Sequence, residues 1–211
     1  MERLQSLLRA YNLEHPEDNS LAPWNRQYCK SKFPKYWEIT FFILQCLDRN
    51  SRVLEVGCGL GAITSILCYL GYKNISSFEK NALLADNARR RIRRIFNRDI
   101  HIIASDYPSG NKYNCDVLIL VNCAYGDVVQ TKSEYLELLR MYYNSAGSPK
   151  YFLLEVIDDS YIQEDDEFPP YIRVNEKEVR ELFPSCRIKS WETYRYPENK
   201  KSKTLYLIER L

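Results

Sequence analysis

The stretch Val53-Leu54-Glu55-Val56-Gly57-Cys58-Gly59-Leu60-Gly61 decides how this 211-residue chain is read. Its first four residues form a short apolar run, rich in β-branched side chains and broken by one acid, as in a strand buried on both faces. The run stops at three glycines separated by single residues. Ala62-Ile63-Thr64-Ser65-Ile66-Leu67-Cys68-Tyr69-Leu70 then follows with helical periodicity and ends at Gly71, the residue type that closes helices in the left-handed conformation. Strand, glycine turn and helix in that order build a place where a ligand approaches the backbone closely, because glycine allows both the tight turn and the missing Cβ. The placement is pointed, since the chain has only 7 glycines, where average usage would give about 15.

Working outward, Pro34 introduces Lys35 to Leu47, whose length and apolar content predict a buried helix. Residues 1 to 12 carry Leu4, Leu7 and Leu8 on one face of a short helix, and a polar break with two prolines follows. Residues 1–33 are therefore expected to be an N-terminal helical arm or lid. Downstream, the pattern predicts strands at 73–79, 100–106, 115–122 and 151–158 and helices at 82–96, 131–146 and 176–183. Two last strands, 186–194 and 203–210, flank the turn-like Pro197-Glu198-Asn199-Lys200-Lys201-Ser202. Near-continuous apolar strands alternating with helices belong to α/β domains with a covered, mostly parallel sheet, here over residues 34–211.

Composition removes several classes. Lysine and arginine exceed aspartate and glutamate by only 30 to 28, so no global charge argues for nucleic acid. The longest apolar runs, such as Phe41 to Leu47, fall far short of the ~20 residues of a membrane span, and the N-terminus lacks the apolar core of an export signal. A cytoplasmic protein with no membrane partner is expected. Seven cysteines without a CxxC pair, and only His15 and His101, read as reduced thiols in a protein without a metal site.

Gly57, Gly59 and Ala62 satisfy the GxGxx[G/A] dinucleotide fingerprint, so the spacing alone leaves a nicotinamide cofactor open. Three details point elsewhere: the acid two residues before the first glycine, the early third glycine, and a helical segment preceding the motif. With them, VLEVGCGLG closely resembles motif I of the class I S-adenosylmethionine-dependent methyltransferases. The order of elements over residues 34–211 is similar as well. The resemblance implies a doubly wound, mostly parallel seven-stranded sheet with helices on both faces and an antiparallel C-terminal strand. It implies S-adenosylmethionine as cofactor and S-adenosylhomocysteine as product. Carried over residue by residue, it sets Glu55, Gly57, Cys58, Gly59 and Gly61 at the amino-acid end of the cofactor and Glu79, followed by Lys80, at the ribose. Asp106 would meet the adenine amine with Tyr107 packing on the ring, and Asn122 and Cys123 would lie beside the methyl donor.

The acceptor is less defined. Asn122-Cys123-Ala124-Tyr125 resembles the [DN]PP[YF] motif of amine methyltransferases with both prolines missing, which makes Asn122 and Tyr125 the candidate catalytic residues; a strand-end Asn and a packing Tyr are the plainer alternative. Tyr28, Tyr36, Trp37, Asp127, Glu155 and Asp158 are candidate substrate-binding residues, each with packing or surface as its alternative. Arg89, Arg90, Arg91, Arg93, Arg94 and Arg98 could track phosphates, yet solvated arginines on a flanking helix explain the same run. The acidic loop Glu164-Asp165-Asp166-Glu167 would repel RNA. The expected function is methyl transfer to a small-molecule amine or hydroxyl. An RNA or protein acceptor, or a cofactor-binding subunit without catalysis, stands as the alternative; nucleic acid is not favoured and the oligomeric state is left open.

Overall fold

The structure, a computed structural model, describes residues 1–22, 34–110, 112–125, 128–161, 168–195 and 202–211. The chain divides into two units, Met1–Ser109 and Gly110–Leu211.

The first unit runs α1 (Glu2–Glu14), α2 (Asp18–Leu21), α3 (Lys35–Gln45), β1 (Arg52–Val56), α4 (Ala62–Leu70), β2 (Asn74–Phe78), α5 (Ala82–Phe96) and β3 (His101–Ile103). β2 lies between β1 and β3, parallel to both, with Val56 opposite Phe78 and Phe78 opposite Ile103. The helix boundaries follow from local chemistry. Asn81 caps α5 by accepting from the Leu83 and Leu84 amides, and Asn97 and Gly71 end α5 and α4 in the left-handed region. Arg49 closes α3 by donating to the carbonyls of Leu44 and Gln45, each at 2.6 Å.

The second unit runs β4 (Val117–Leu120), α6 (Lys132–Ser145), β5 (Tyr151–Ile157), a 3-10 turn (Pro170–Ile172), α7 (Glu176–Leu182), β6 (Cys186–Arg195) and β7 (Ser202–Arg210). β4 and β5 are parallel, β7 is antiparallel to β5, and β6 pairs with the outer side of β7. All four residues of β4 are buried, as an interior strand of a covered sheet requires. Capping boxes start α6 (Thr131 with Glu134) and α7 (Asn175 with Glu178). The seven strands make the mixed, mostly parallel sheet that the resemblance implies, with the antiparallel strand in the C-terminal hairpin.

Three elements differ from the sequence reading. A short helix, α2, occupies the proline-flanked break after α1. β3 keeps three residues because its partner β2 ends at Phe78, opposite Ile103. β4 starts late because the chain before it bonds to the end of α6, Tyr113 N–H to Ser145 O and Cys115 N–H to Ala146 O. Among the described residues, no helix is long and apolar enough to cross a membrane.

Candidate functional site

In the first unit the glycine turn is built as a cradle. Gly57, Gly59 and Gly61 all have positive φ, at 69°, 54° and 76°. At Gly59 a side chain would project into open space, while at Gly61 a Cβ would sit 3.3 Å from that of Ala88 on α5. Side chains between the glycines anchor the turn from below: Cys58 packs on Ala85, Ala88 and Ile102, and Leu60 on Ala22 and Leu84. Trp37 donates its indole N–H to Ala62 O at 3.1 Å and so fixes the start of α4.

Two acids serve this turn in different ways. Glu79, just past β2, accepts from the Gly59 amide (Oε2, 2.8 Å) and the Asn81 amide (Oε1, 2.9 Å), which ties the edge of the cradle to the α5 cap. A carboxylate has about four lone-pair directions, so both oxygens keep capacity for further donors. Glu55 is buried beneath the turn, where its Oε2 accepts from Thr64 Oγ1 at 2.5 Å and Ser77 Oγ at 3.3 Å. Burial, reinforced by the charge of Glu79, pushes the Glu55 carboxyl up to about 7 against the hydrogen bonds from Thr64 and Ser77. Asp106 is exposed beyond β3, and Tyr107 is buried edge-on to Phe78 with ring centroids 5.0 Å apart. Lys80 is exposed.

The second unit carries a separate polar cluster at the carboxyl ends of β4 and β5. Asn122 holds a left-handed backbone, φ 59°, which turns its side chain back toward the strands. Its Oδ1 accepts from Tyr125 Oη at 2.5 Å and from Lys203 Nζ at 2.9 Å, and Lys203 also donates to Tyr125 Oη at 2.7 Å. The Lys203 ammonium lies over the rings of Tyr125 and Phe168 at 4.8 and 5.4 Å. Glu155 is fully enclosed beside it, with Thr193 donating to Oε1 and no hydrogen-bond partner for Oε2. Burial raises the Glu155 carboxyl, opposed by the Lys203 charge and the hydrogen bonds from Thr193 and the Asn122 backbone. Asp158 accepts from Thr204 Oγ1 at 2.8 Å and the Ser160 amide at 3.0 Å.

Of the other candidates, Tyr36 and Trp37 are buried in α3, and Cys123 is partly exposed. Tyr28, Asp127 and the acidic loop at 164–167 lie outside the described residues. Lys203 was missed as a site residue, because in sequence it ends the run Lys200-Lys201-Ser202-Lys203. The available signal was its phase: in a strand it shares a face with the buried Leu205.

Comparison with known proteins bears on the fold. Residues 28–132 match the protein-L-isoaspartate(D-aspartate) O-methyltransferase family. Magnesium protoporphyrin IX methyltransferase from Synechocystis, solved with bound S-adenosylhomocysteine, superposes with a TM-score of 0.68 at 12% identity, covering 93% of this chain and 97% of the other. The chain has the fold of the class I S-adenosylmethionine-dependent methyltransferases. Other structures with this methyltransferase fold extend the match. The 1,6-didemethyltoxoflavin-N1-methyltransferase of Burkholderia thailandensis, solved with bound 1,6-didemethyltoxoflavin and S-adenosylhomocysteine, gives 0.64 at 14% identity over 97% of this chain and 88% of that one. An S-adenosylmethionine-dependent methyltransferase of Clostridium acetobutylicum gives 0.63 at 13% identity over 91% and 98%. No curated protein sequence matches the chain.

Proposed function

We propose that this methyltransferase-fold protein binds S-adenosylmethionine on the glycine turn of its first unit and methylates a small-molecule acceptor. The observation that carries the cofactor reading is Gly59. Its left-handed backbone holds the amide on Glu79 while the space a side chain would fill stays open, as a cradle for a ligand requires. When bound, the cofactor supplies a methyl group on a sulfonium, which leaves by in-line displacement, so the protein's task is alignment and exclusion of water. Glu79 would hold the ribose hydroxyls with its remaining lone pairs. Asp106 would accept from the adenine amine. Glu55 would set a negative potential under the cationic end of the ligand, with Lys80 beside the ribose and Tyr107 beside the adenine ring.

For the acceptor, the Asn122 cluster favours an oxygen nucleophile over an amine. Both lone-pair directions of Asn122 Oδ1 are taken by Tyr125 and Lys203, so the amide oxygen has none left for an amine N–H. A hydroxyl or acid oxygen could instead accept from the Lys203 ammonium, which has three donor hydrogens. An RNA acceptor is less favoured because four of the five arginines of α5 are closely paired or buried. Arg90 meets Asp18 at 2.9 Å, Arg93 meets Asp99 at 2.8 Å, Arg89 pairs with Asp86, and Arg91 is buried. Incubation with labelled cofactor and a fractionated extract tests the assignment. Label in small molecules supports it, label in RNA or protein redirects it, and no S-adenosylhomocysteine at all leaves a non-catalytic cofactor-binding subunit.

A further inference from the structure

We propose that the N-terminal arm is a clamp on the cofactor turn, and that Asp18, paired with Arg90 and Arg91 of α5, is the positioning residue that holds it closed. The inference rests on the cofactor reading above.

Three consecutive observations carry it. First, the turn is held partly by its own backbone, with Gly61 N–H donating to Cys58 O at 2.8 Å and Cys58 N–H to Phe78 O at 3.0 Å. Three glycines at positive φ still leave it with more freedom than other residues would, so side-chain anchors add to its order. One is the Glu79 bond to the Gly59 amide, one is Cys58, and one is Leu60, only 3% exposed, which clusters with Ala22 and Leu84, with Leu21 packed against them. Leu60 is therefore the anchor that depends on the arm.

Second, Ala22 is one helical turn from Asp18 and bound to it, with the Ala22 amide donating to Asp18 O at 3.0 Å. α2 has only four residues, too few to be stable alone, so its position is set by what Asp18 grips.

Third, that grip is charged and buried on the Asp18 and Arg91 sides, while the Arg90 side chain is 44% exposed. The Asp18 side chain is fully enclosed; Arg90 donates to Oδ1 at 2.9 Å, and Arg91, 1% exposed, stands 3.7 Å from Oδ2. Arg91 also donates to Asn12 Oδ1 at 2.8 Å and lies over the Tyr11 ring at 5.2 Å, while Arg90 Nε donates to Tyr11 Oη at 3.2 Å. α1 and α2 are thus fastened to the two arginines of the helix whose first turn supplies Leu84. A clamp that pre-orders the turn lowers the ordering cost paid on binding, and so raises affinity without touching the ligand.

The test uses S-adenosylhomocysteine as probe on the whole chain. Asp18→Asn keeps the shape and removes the charge. Its Kd by calorimetry should rise about tenfold at a temperature where the variant is still folded by circular dichroism. A lower melting temperature with an unchanged Kd marks Asp18 as merely structural and overturns the proposal. The wild type gives an independent test, since coupling is reciprocal. Saturating S-adenosylhomocysteine should slow hydrogen exchange of the arm amides, Tyr11 to Ala22, about as much as the clamp strengthens binding. Protection confined to the turn, with the arm unchanged, overturns the clamp even if the variant does not fold. Absence of any binding to the wild type is a different result, and removes the cofactor reading itself.

Discussion

Glu55 gives the sharpest stability prediction. Its carboxyl is pushed from an ordinary 4.5 to about 7 by burial beneath the glycine turn, with the Glu79 charge adding to the rise. Between those two pH values the folded protein keeps a proton that the unfolded chain has already released. Stability from this group is therefore fully present below about pH 4.5 and is lost as pH rises to about 7, beyond which nothing further is lost. At about 1.4 kcal/mol per pH unit over this interval, the loss is at most about 3 kcal/mol. For a chain of this size that corresponds to a drop in melting temperature of about 6–12 °C. Urea unfolding of wild type and Glu55→Gln at half-unit steps from about pH 4.5 to 8 isolates it. Gln stays neutral, and its amide oxygen can still accept from Thr64 and Ser77, so the variant should lose the Glu55 part of the slope whatever its absolute stability. Glu155, also raised by burial, contributes with the same sign in both proteins and cancels in the difference. Parallel pH profiles, or a wild type that gains on the variant as pH rises, would refute the assignment of a buried, protonated Glu55.

The two helix-proximal glycines should separate strain from contact. Gly59→Ala and Gly61→Ala each cost about 1–2 kcal/mol for the left-handed backbone, and Gly61→Ala more, because its Cβ meets that of Ala88 at 3.3 Å while the space at Gly59 is open; equal losses in denaturant unfolding contradict this. Lys203→Met should destabilise by about 3 kcal/mol, since it strips Asn122 and Tyr125 of a donor and leaves buried Glu155 without its neighbouring cation. Adding Glu155→Gln should recover part of that loss, and a single-variant loss under about 1 kcal/mol would count against the cluster. S-adenosylmethionine should bind more tightly as pH rises through about 7, because ionised Glu55 favours a cation above it. An affinity by calorimetry that stays flat from about pH 6 to 8 would dissociate Glu55 from the ligand.

What could be read in advance was mostly local. Glycines between an apolar run and a helical period point to positive φ in a tight turn, and all three have it. Glu79 and Asp106 were singled out through the resemblance as acids closing strands, and the structure sets Glu79 on the Gly59 amide and Asp106 exposed beyond β3. Glu55 was legible as an unusual acid, but not its partners, since Thr64 and Ser77 reach it from a helix and a neighbouring strand. Lys203 escaped for a similar reason. Asn122, Tyr125 and Glu155 are 48 or more residues away in sequence and meet it only through the pairing of β7 with β5. The segment around Asp18 reads as a polar break from its own residues, and its partners Arg90 and Arg91 lie more than 70 residues on. In the arginine run, local sequence shows charge and hides pairing, because Asp18 and Asn12 belong to the arm.

The central claim is that the turn from Gly57 to Gly61, with Glu79 at its edge, holds S-adenosylmethionine. Titrating the chain with S-adenosylmethionine in a calorimeter, beside Gly59→Arg, tests it most directly. The account predicts one-to-one binding in the micromolar range for the wild type and none for the variant, whose side chain would fill the cradle. No heat from the wild type at high micromolar ligand, or undiminished binding by Gly59→Arg, would contradict it.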